Sequence, residues 1–107
     1  MKRGDLVTVI LPGAYGKPRP AVIVQSDRYE AMESVTFLPM TSEILPKQVF
    51  RVTVQPTAEN GLQAASQIMA DKCSTLPLTR VGRVFGRLGA GDLGRVDRAL
   101  AAFLGFV

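Results

Sequence analysis

The sequence predicts a mainly β protein: short antiparallel strands forming a small barrel, closed by one C-terminal α-helix. Three observations carry this expectation. Short runs rich in Val, Ile, Thr and Phe recur over most of the chain, each punctuated by Pro, Gly or Asn-Gly. Apolar residues near the C-terminus then switch to helical spacing. The length, 107 residues, is that of one domain, 1–107, with a modest core that a second copy would supplement.

The elements follow in order. Leu6-Val7-Thr8-Val9-Ile10-Leu11 is a first strand, stopped by Pro12-Gly13. Residues 12–20 hold two glycines and three prolines, a composition that excludes a helix or a central strand, so this stretch is expected as a loop carrying Lys17 and Arg19. Ala21-Val22-Ile23-Val24-Gln25 is continuously apolar up to its last residue, as a strand buried on both faces would be. The polar stretch 26–34 has room for a turn of helix. Val35–Met40 reads as a third strand that ends at Thr41-Ser42, and residues 49–56 alternate like a half-exposed strand. Asn60-Gly61 is a turn pair, 62–69 is expected to be extended, and 73–78 and 81–86 are two further strands. Leu93, Val96, Leu100, Phe103 and Leu104 share one helical face; Asp92 near the start favours the helix dipole, and Gly105 ends a helix of about three turns.

Composition narrows the chemistry. The chain is 47% hydrophobic and 21% charged, which is globular rather than disordered. No apolar run approaches the roughly 18–20 residues needed to span a bilayer. Met1-Lys2-Arg3-Gly4-Asp5 leads straight into a strand pattern without a signal-peptide core, so a cytoplasmic location is expected. Cys73 is the single cysteine, which excludes an internal disulfide, and it reads as a packing residue. Histidine is absent, which excludes Cys–His and Ser–His–Asp nucleophiles and any histidine-ligated metal. Neither a cofactor nor a metal site is expected. Arginine outnumbers lysine nine to four within a net charge of +4, and the planar guanidinium fork suits phosphate groups. An anionic partner fits this balance, either nucleic acid or an acidic protein segment.

Three segments, taken in register, resemble the MazF/PemK family of toxins. They are Lys2-Arg3-Gly4-Asp5-Leu6-Val7, then Gly16-Lys17-Pro18-Arg19-Pro20-Ala21-Val22-Ile23-Val24-Gln25-Ser26-Asp27, then Gln67-Ile68-Met69-Ala70-Asp71-Lys72 followed by Gly82-Arg83 and the Leu-rich helix. The resemblance covers essentially the whole chain. It implies an SH3-like antiparallel barrel, a homodimer with a groove for single-stranded RNA, and a cognate antitoxin whose acidic, disordered segment occupies that groove. It also implies a type II toxin that cuts mRNA in a sequence-specific, metal-independent manner. In such cleavage the 2′-OH attacks phosphorus, leaving a 2′,3′-cyclic phosphate and a 5′-OH.

The family's catalytic arginine and threonine match Arg19 and Thr41 in this chain. A guanidinium and a hydroxyl, preset in a partly dry groove, can stabilise the charge that builds on a pentacoordinate phosphorus. Arg19 lies between Pro18 and Pro20, which narrows its backbone freedom. A guanidinium has N–H donors and no acceptor, so Arg19 serves as charge stabiliser and candidate proton donor to the 5′-oxygen, not as base. The base is unassigned. Some relatives carry a carboxylate in the first loop, where this chain has Ala14-Tyr15-Gly16. Tyr15, Lys17, Ser42 and Gln67 are candidate RNA-binding residues: Tyr15 by stacking or else as an exposed loop residue, Lys17 toward phosphate, Ser42 beside Thr41 where the pair can equally cap a strand end, Gln67 in the groove. Gln67 can equally be a satisfied polar residue on a strand, and Asp71-Lys72 a pair that orders a turn. Two other functions fit the same fold class. One is a CcdB-like gyrase poison, which uses a C-terminal tryptophan that this chain lacks. The other is a non-catalytic RNA-binding module.

Overall fold

The computed structural model describes residues 1–13 and 16–107. Its architecture grows from the two most apolar runs in the sequence. Strand β1 (Asp5–Ile10) pairs antiparallel with β2 (Pro18–Ile23), with Leu6 opposite Val22 and Val9 opposite Arg19. The other edge of β1 carries β7 (Val81–Arg87), where the register shifts twice, between Leu6 and Val7 and between Val7 and Val9.

Strand β3 (Ser34–Thr41) joins the two halves of the molecule. On one edge Phe37, Leu38 and Pro39 pair with Ile23, Val22 and Ala21 of β2. On the other, residues 34–37 pair with β6 (Ser74–Pro77), and Met40 and Thr41 pair with Ile68 and Gln67 of β5 (Ser66–Met69). The partner therefore changes at Leu38-Pro39. A proline, lacking a backbone N–H, fits a point where one ladder ends and another begins. Strand β4 (Arg51–Val54) completes the set beside β5. The ladder runs β4-β5-β3-β2-β1-β7, with β6 alongside β3, and among the described residues no pairing joins β4 to β7. The molecule is thus mainly an antiparallel sheet, open along its hydrogen-bonded path, with one C-terminal helix.

Alternation along these strands fills both faces. Leu6, Val22, Leu38, Met40, Val54 and Ile68 pack on one side, where Val96 of the helix joins them. Val7, Val9, Ala21, Ile23, Val35 and Phe37 pack on the other. The run Ala21–Val24 is buried throughout, as a strand with covered faces requires.

The helix, α1 (Ala90–Leu104), has 15 residues, a turn more than expected, because it begins ahead of the apolar stripe. Asp92 in its first turn bonds Arg95 at 2.9 Å. At its end Gly105 adopts φ 85°, and the N–H groups of Gly105 and Phe106 close back on the carbonyls of Ala102 and Ala101 at 3.2 and 2.8 Å. That is a Schellman stop, which needs a left-handed residue. No helix among the described residues is long and apolar enough to cross a membrane.

Three local expectations change. Residues 18–20 belong to β2, not to the preceding loop. The prolines are tolerated because β3 meets β2 only from Ala21 onward, so 18–20 extend along β1 with their other edge unpaired by β3. Residues 62–65 are irregular and only 66–69 form a strand, because Asn60 holds the turn. Its buried amide accepts from the N–H groups of Thr57 and Leu62 and donates to the Gln55 carbonyl. Cys73 is exposed, with its thiol pushed above the ordinary range by partial burial.

Candidate active site at the end of the third strand

Arg19 and Thr41 come from different strands and line one cavity of about 290 Å³. Leu11, Met40 and Met69 form apolar wall, and Glu43 and Lys72 bring a carboxylate and a second cation. Each arrives for a local reason. Arg19 is exposed on the one-sided extension of β2, fixed through Val9 to β1. Thr41 is the last residue of β3, held opposite Gln67. Lys72 closes a single 3-10 turn, Ala70–Lys72, which follows β5 directly; its ammonium pairs with Asp71 at 3.0 Å. The Asp71-Lys72 pair is thus real, and it also stations Lys72 at the cavity.

The Thr41 hydroxyl is oriented. Its oxygen accepts the backbone N–H of Glu43 at 3.1 Å. A hydroxyl has one donor and two lone pairs, so this bond leaves the O–H available for an anion's oxygen. Behind Glu43 lies a chain of supporting bonds. Its carbonyl accepts Arg51 Nη1 at 3.3 Å, and the same nitrogen donates to Gln67 Oε1 at 3.2 Å. Gln67 also exchanges two bonds with the peptide of Leu45, each of 3.0 Å, and donates to Thr53 Oγ1 at 3.1 Å. Gln67 is 3% exposed. Its amide pins the 43–45 segment in the way a neighbouring strand would.

The residues expected from sequence therefore divide into groups. Arg19 and Thr41 meet in one cavity. Ser42 points the other way, since neighbours on a strand end face opposite sides. It borders a second hollow, of about 570 Å³, with Pro18, Pro20, Gln63, Arg83 and Phe85. Lys17 is exposed just ahead of β2. Gln67 lies beneath the loop with its amide fully engaged, the satisfied-polar arrangement, rather than on the cavity wall. Tyr15 falls outside the described residues. Glu43, Lys72 and Arg51 escaped the sequence reading as site residues. Only Lys72 had a signal, its place at the end of the Gln67–Lys72 segment.

Two cations, an oriented hydroxyl and apolar walls at an open strand end make a small β protein equipped to hold a phosphate-like anion. Comparison with known proteins gives that class its family. The chain belongs to the PemK-like, MazF-like toxins of type II toxin–antitoxin systems, whose family model matches residues 2–104. It is 43% identical over 106 residues to a probable endoribonuclease MazF from Mycolicibacterium smegmatis, covering 98% of this chain and 97% of that protein. It is 32% identical over 114 residues to endoribonuclease MazF9 from Mycobacterium tuberculosis, covering 97% and 96%. Among solved structures, an endoribonuclease in complex with its cognate antitoxin, from a mycobacterial species, has the same fold. Its TM-score is 0.85 at 20% identity, over 100% of this chain and 97% of that one.

Proposed function

We propose that this chain is the toxin of a type II toxin–antitoxin system, acting in the cytoplasm as a sequence-specific endoribonuclease on single-stranded RNA. The observation that carries the reading is the meeting of Arg19 and Thr41 in one cavity, on a chain 43% identical to a probable endoribonuclease MazF. Arg19 stabilises charge on the phosphorus oxygens and gives a proton to the departing 5′-oxygen. Thr41 holds a non-bridging oxygen through its free O–H. The attacking group is the 2′-OH, which confines the reaction to RNA. Lys17 and Ser42 flank the path of the strand, and Gln67 fixes the loop that carries Glu43.

The whole chain, 1–107, works as one domain. Its bent, incompletely closed sheet serves as an SH3-like barrel. A homodimer fits the apolar side chains left open around the helix end: Phe103 at 50% exposure, Phe106 at 76% and, in the facing loop, Val49 at 91%. The basic cavity suits an acidic antitoxin segment that folds as it binds.

The test is incubation of the purified protein with a long mixed-sequence RNA, with and without EDTA, beside an all-DNA control. The expected result is cleavage that persists in chelator, spares DNA and leaves 2′,3′-cyclic phosphate ends. Loss of cleavage in EDTA refutes the metal-independent mechanism, and intact RNA in both arms refutes the enzyme.

A further inference from the structure

We infer that Glu43 is the general base of the reaction, taking the proton from the attacking 2′-OH; the inference rests on the endoribonuclease reading above. Arg19 cannot fill this role, since a guanidinium presents N–H donors and no acceptor. The chain has no histidine, and its first loop, Ala14-Tyr15-Gly16, has no carboxylate. A carboxylate base would therefore come from elsewhere in the fold.

The nine carboxylates of the chain can be sorted by what they do. Asp5, Glu30, Asp71, Asp92 and Asp97 are committed to ion pairs with Arg87, Lys2, Lys72, Arg95 and Arg3. Asp27 accepts the backbone N–H of Arg3 at 2.6 Å. Glu33 and Glu59 lie away from the cavity, their carbonyls tied to Leu78 and Arg87. Among the described residues, Glu43 alone is a carboxylate that lines the cavity of Arg19 and Thr41, and its side chain is in no ion pair.

Its backbone is fixed on both sides. The N–H is spent on Thr41 Oγ1 and the carbonyl on Arg51. The residue that orients the phosphate-binding hydroxyl thus also brings a carboxylate to the same cavity. One loop places an acceptor for the nucleophile's proton beside a donor for the phosphate oxygen. A base in that position can serve attack by an adjacent 2′-OH on a phosphate held by Thr41.

The step balances without a co-reactant. The 2′-OH gives its proton to the Glu43 carboxylate as the 2′-oxygen bonds to phosphorus. The bond from phosphorus to the 5′-oxygen breaks, and that oxygen leaves with a proton from Arg19. Glu43 then releases its proton to solvent, and solvent restores the one lost by Arg19.

The experiment first maps a cut site with wild-type protein in EDTA, then measures single-turnover cleavage of a short RNA across that site for wild type, Glu43→Gln and Glu43→Asp over a range of pH. Binding of the same oligonucleotide with a 2′-deoxy sugar at the cut is measured in parallel. General bases contribute about 10²–10⁴-fold, so Glu43→Gln is expected to slow cleavage by roughly 10²-fold or more. Its acid-side pH dependence should vanish, binding should be unchanged or tighter, and Glu43→Asp should recover part of the rate. Glu43 is exposed, so the folded state should survive the change, and retained binding verifies it. A Glu43→Gln rate within tenfold of wild type, or an unaltered pH profile, overturns the assignment while leaving the nuclease intact. Wild-type protein that does not cut RNA overturns both readings together.

Discussion

The backbone N–H of Glu43 donates to the side-chain oxygen of Thr41 at 3.1 Å, and this bond decides which way the threonine hydroxyl can point. The methyl group of Thr41 has no part in that arrangement. Thr41→Ser should therefore keep most activity, whereas Thr41→Val, nearly the same shape, should lose it. Removing one transition-state donor costs about 10²–10³ in rate. Single-turnover cleavage measures the rate, and affinity for a 2′-deoxy analogue should change much less. Equal losses in Ser and Val would mean that packing, not the hydroxyl, matters.

Arg19 should not be replaceable by lysine. Two parallel N–H donors cannot be reproduced by a point ammonium. Arg19→Lys is expected to fall nearly as far as Arg19→Ala, by about 10²-fold or more in rate. Affinity should fall less, because Lys72 and other cations still hold the strand. With Thr41→Val in the same chain, the losses should be less than additive, since both groups act on one phosphate. A near-normal rate in Arg19→Lys would reduce Arg19 to an anchor.

Gln67→Leu tests whether this amide supports the loop or reads RNA. Leucine would remove both bonds to Leu45, each contributing about 0.5–1.5 kcal/mol net. Urea unfolding should show lowered stability, and the Leu45 amide should exchange hydrogen faster. The cut-site preference should stay the same while the rate falls through displacement of Glu43 and Thr41. A changed preference with unchanged stability would place Gln67 on the RNA instead.

Phe103→Glu should disrupt self-association. Phe103 is half exposed and meets Phe50 edge-on with ring centroids 6.1 Å apart, so its outer face is free to be covered by a second copy. Sedimentation at micromolar concentration should show a dimer for the native chain and a shift toward monomer for the variant. A native chain that sediments as a monomer contradicts the dimer.

Cys73 should be a sluggish nucleophile despite its exposure. Partial burial raises its thiol pKa, and only the thiolate reacts. Alkylation by iodoacetamide should be slow near neutral pH and should accelerate only above the pH at which an unperturbed cysteine reacts. Rapid labelling at neutral pH would show that the thiolate is favoured.

Much of the fold was legible because its signals are local. The run Ala21–Val24 announces a doubly buried strand through composition alone, and Leu93, Val96 and Leu100 announce the helix through their period. The Pro18-Arg19-Pro20 segment reads as loop in the sequence yet forms strand, because proline argues against a strand only where both edges are paired, and pairing is a property of the whole sheet. The site shows the same division. Arg19 is marked by its flanking motif and Thr41 by its place after the third strand, as the family resemblance implies, whereas Glu43 has no motif. It reaches the cavity because Gln67, 24 residues further along, fastens the intervening loop through Leu45 and Arg51. Nothing in the residues near Glu43 records that tie.

Arg19 sits within a strand, paired to β1 and bracketed by prolines, not on a loop that could order or melt. Reshaping that part of the cavity would mean peeling the 18–20 extension away from β1. The arginine is therefore in place as soon as the sheet has formed. A partner lying over the cavity would then restrain it as a plug does, without having to rearrange this strand.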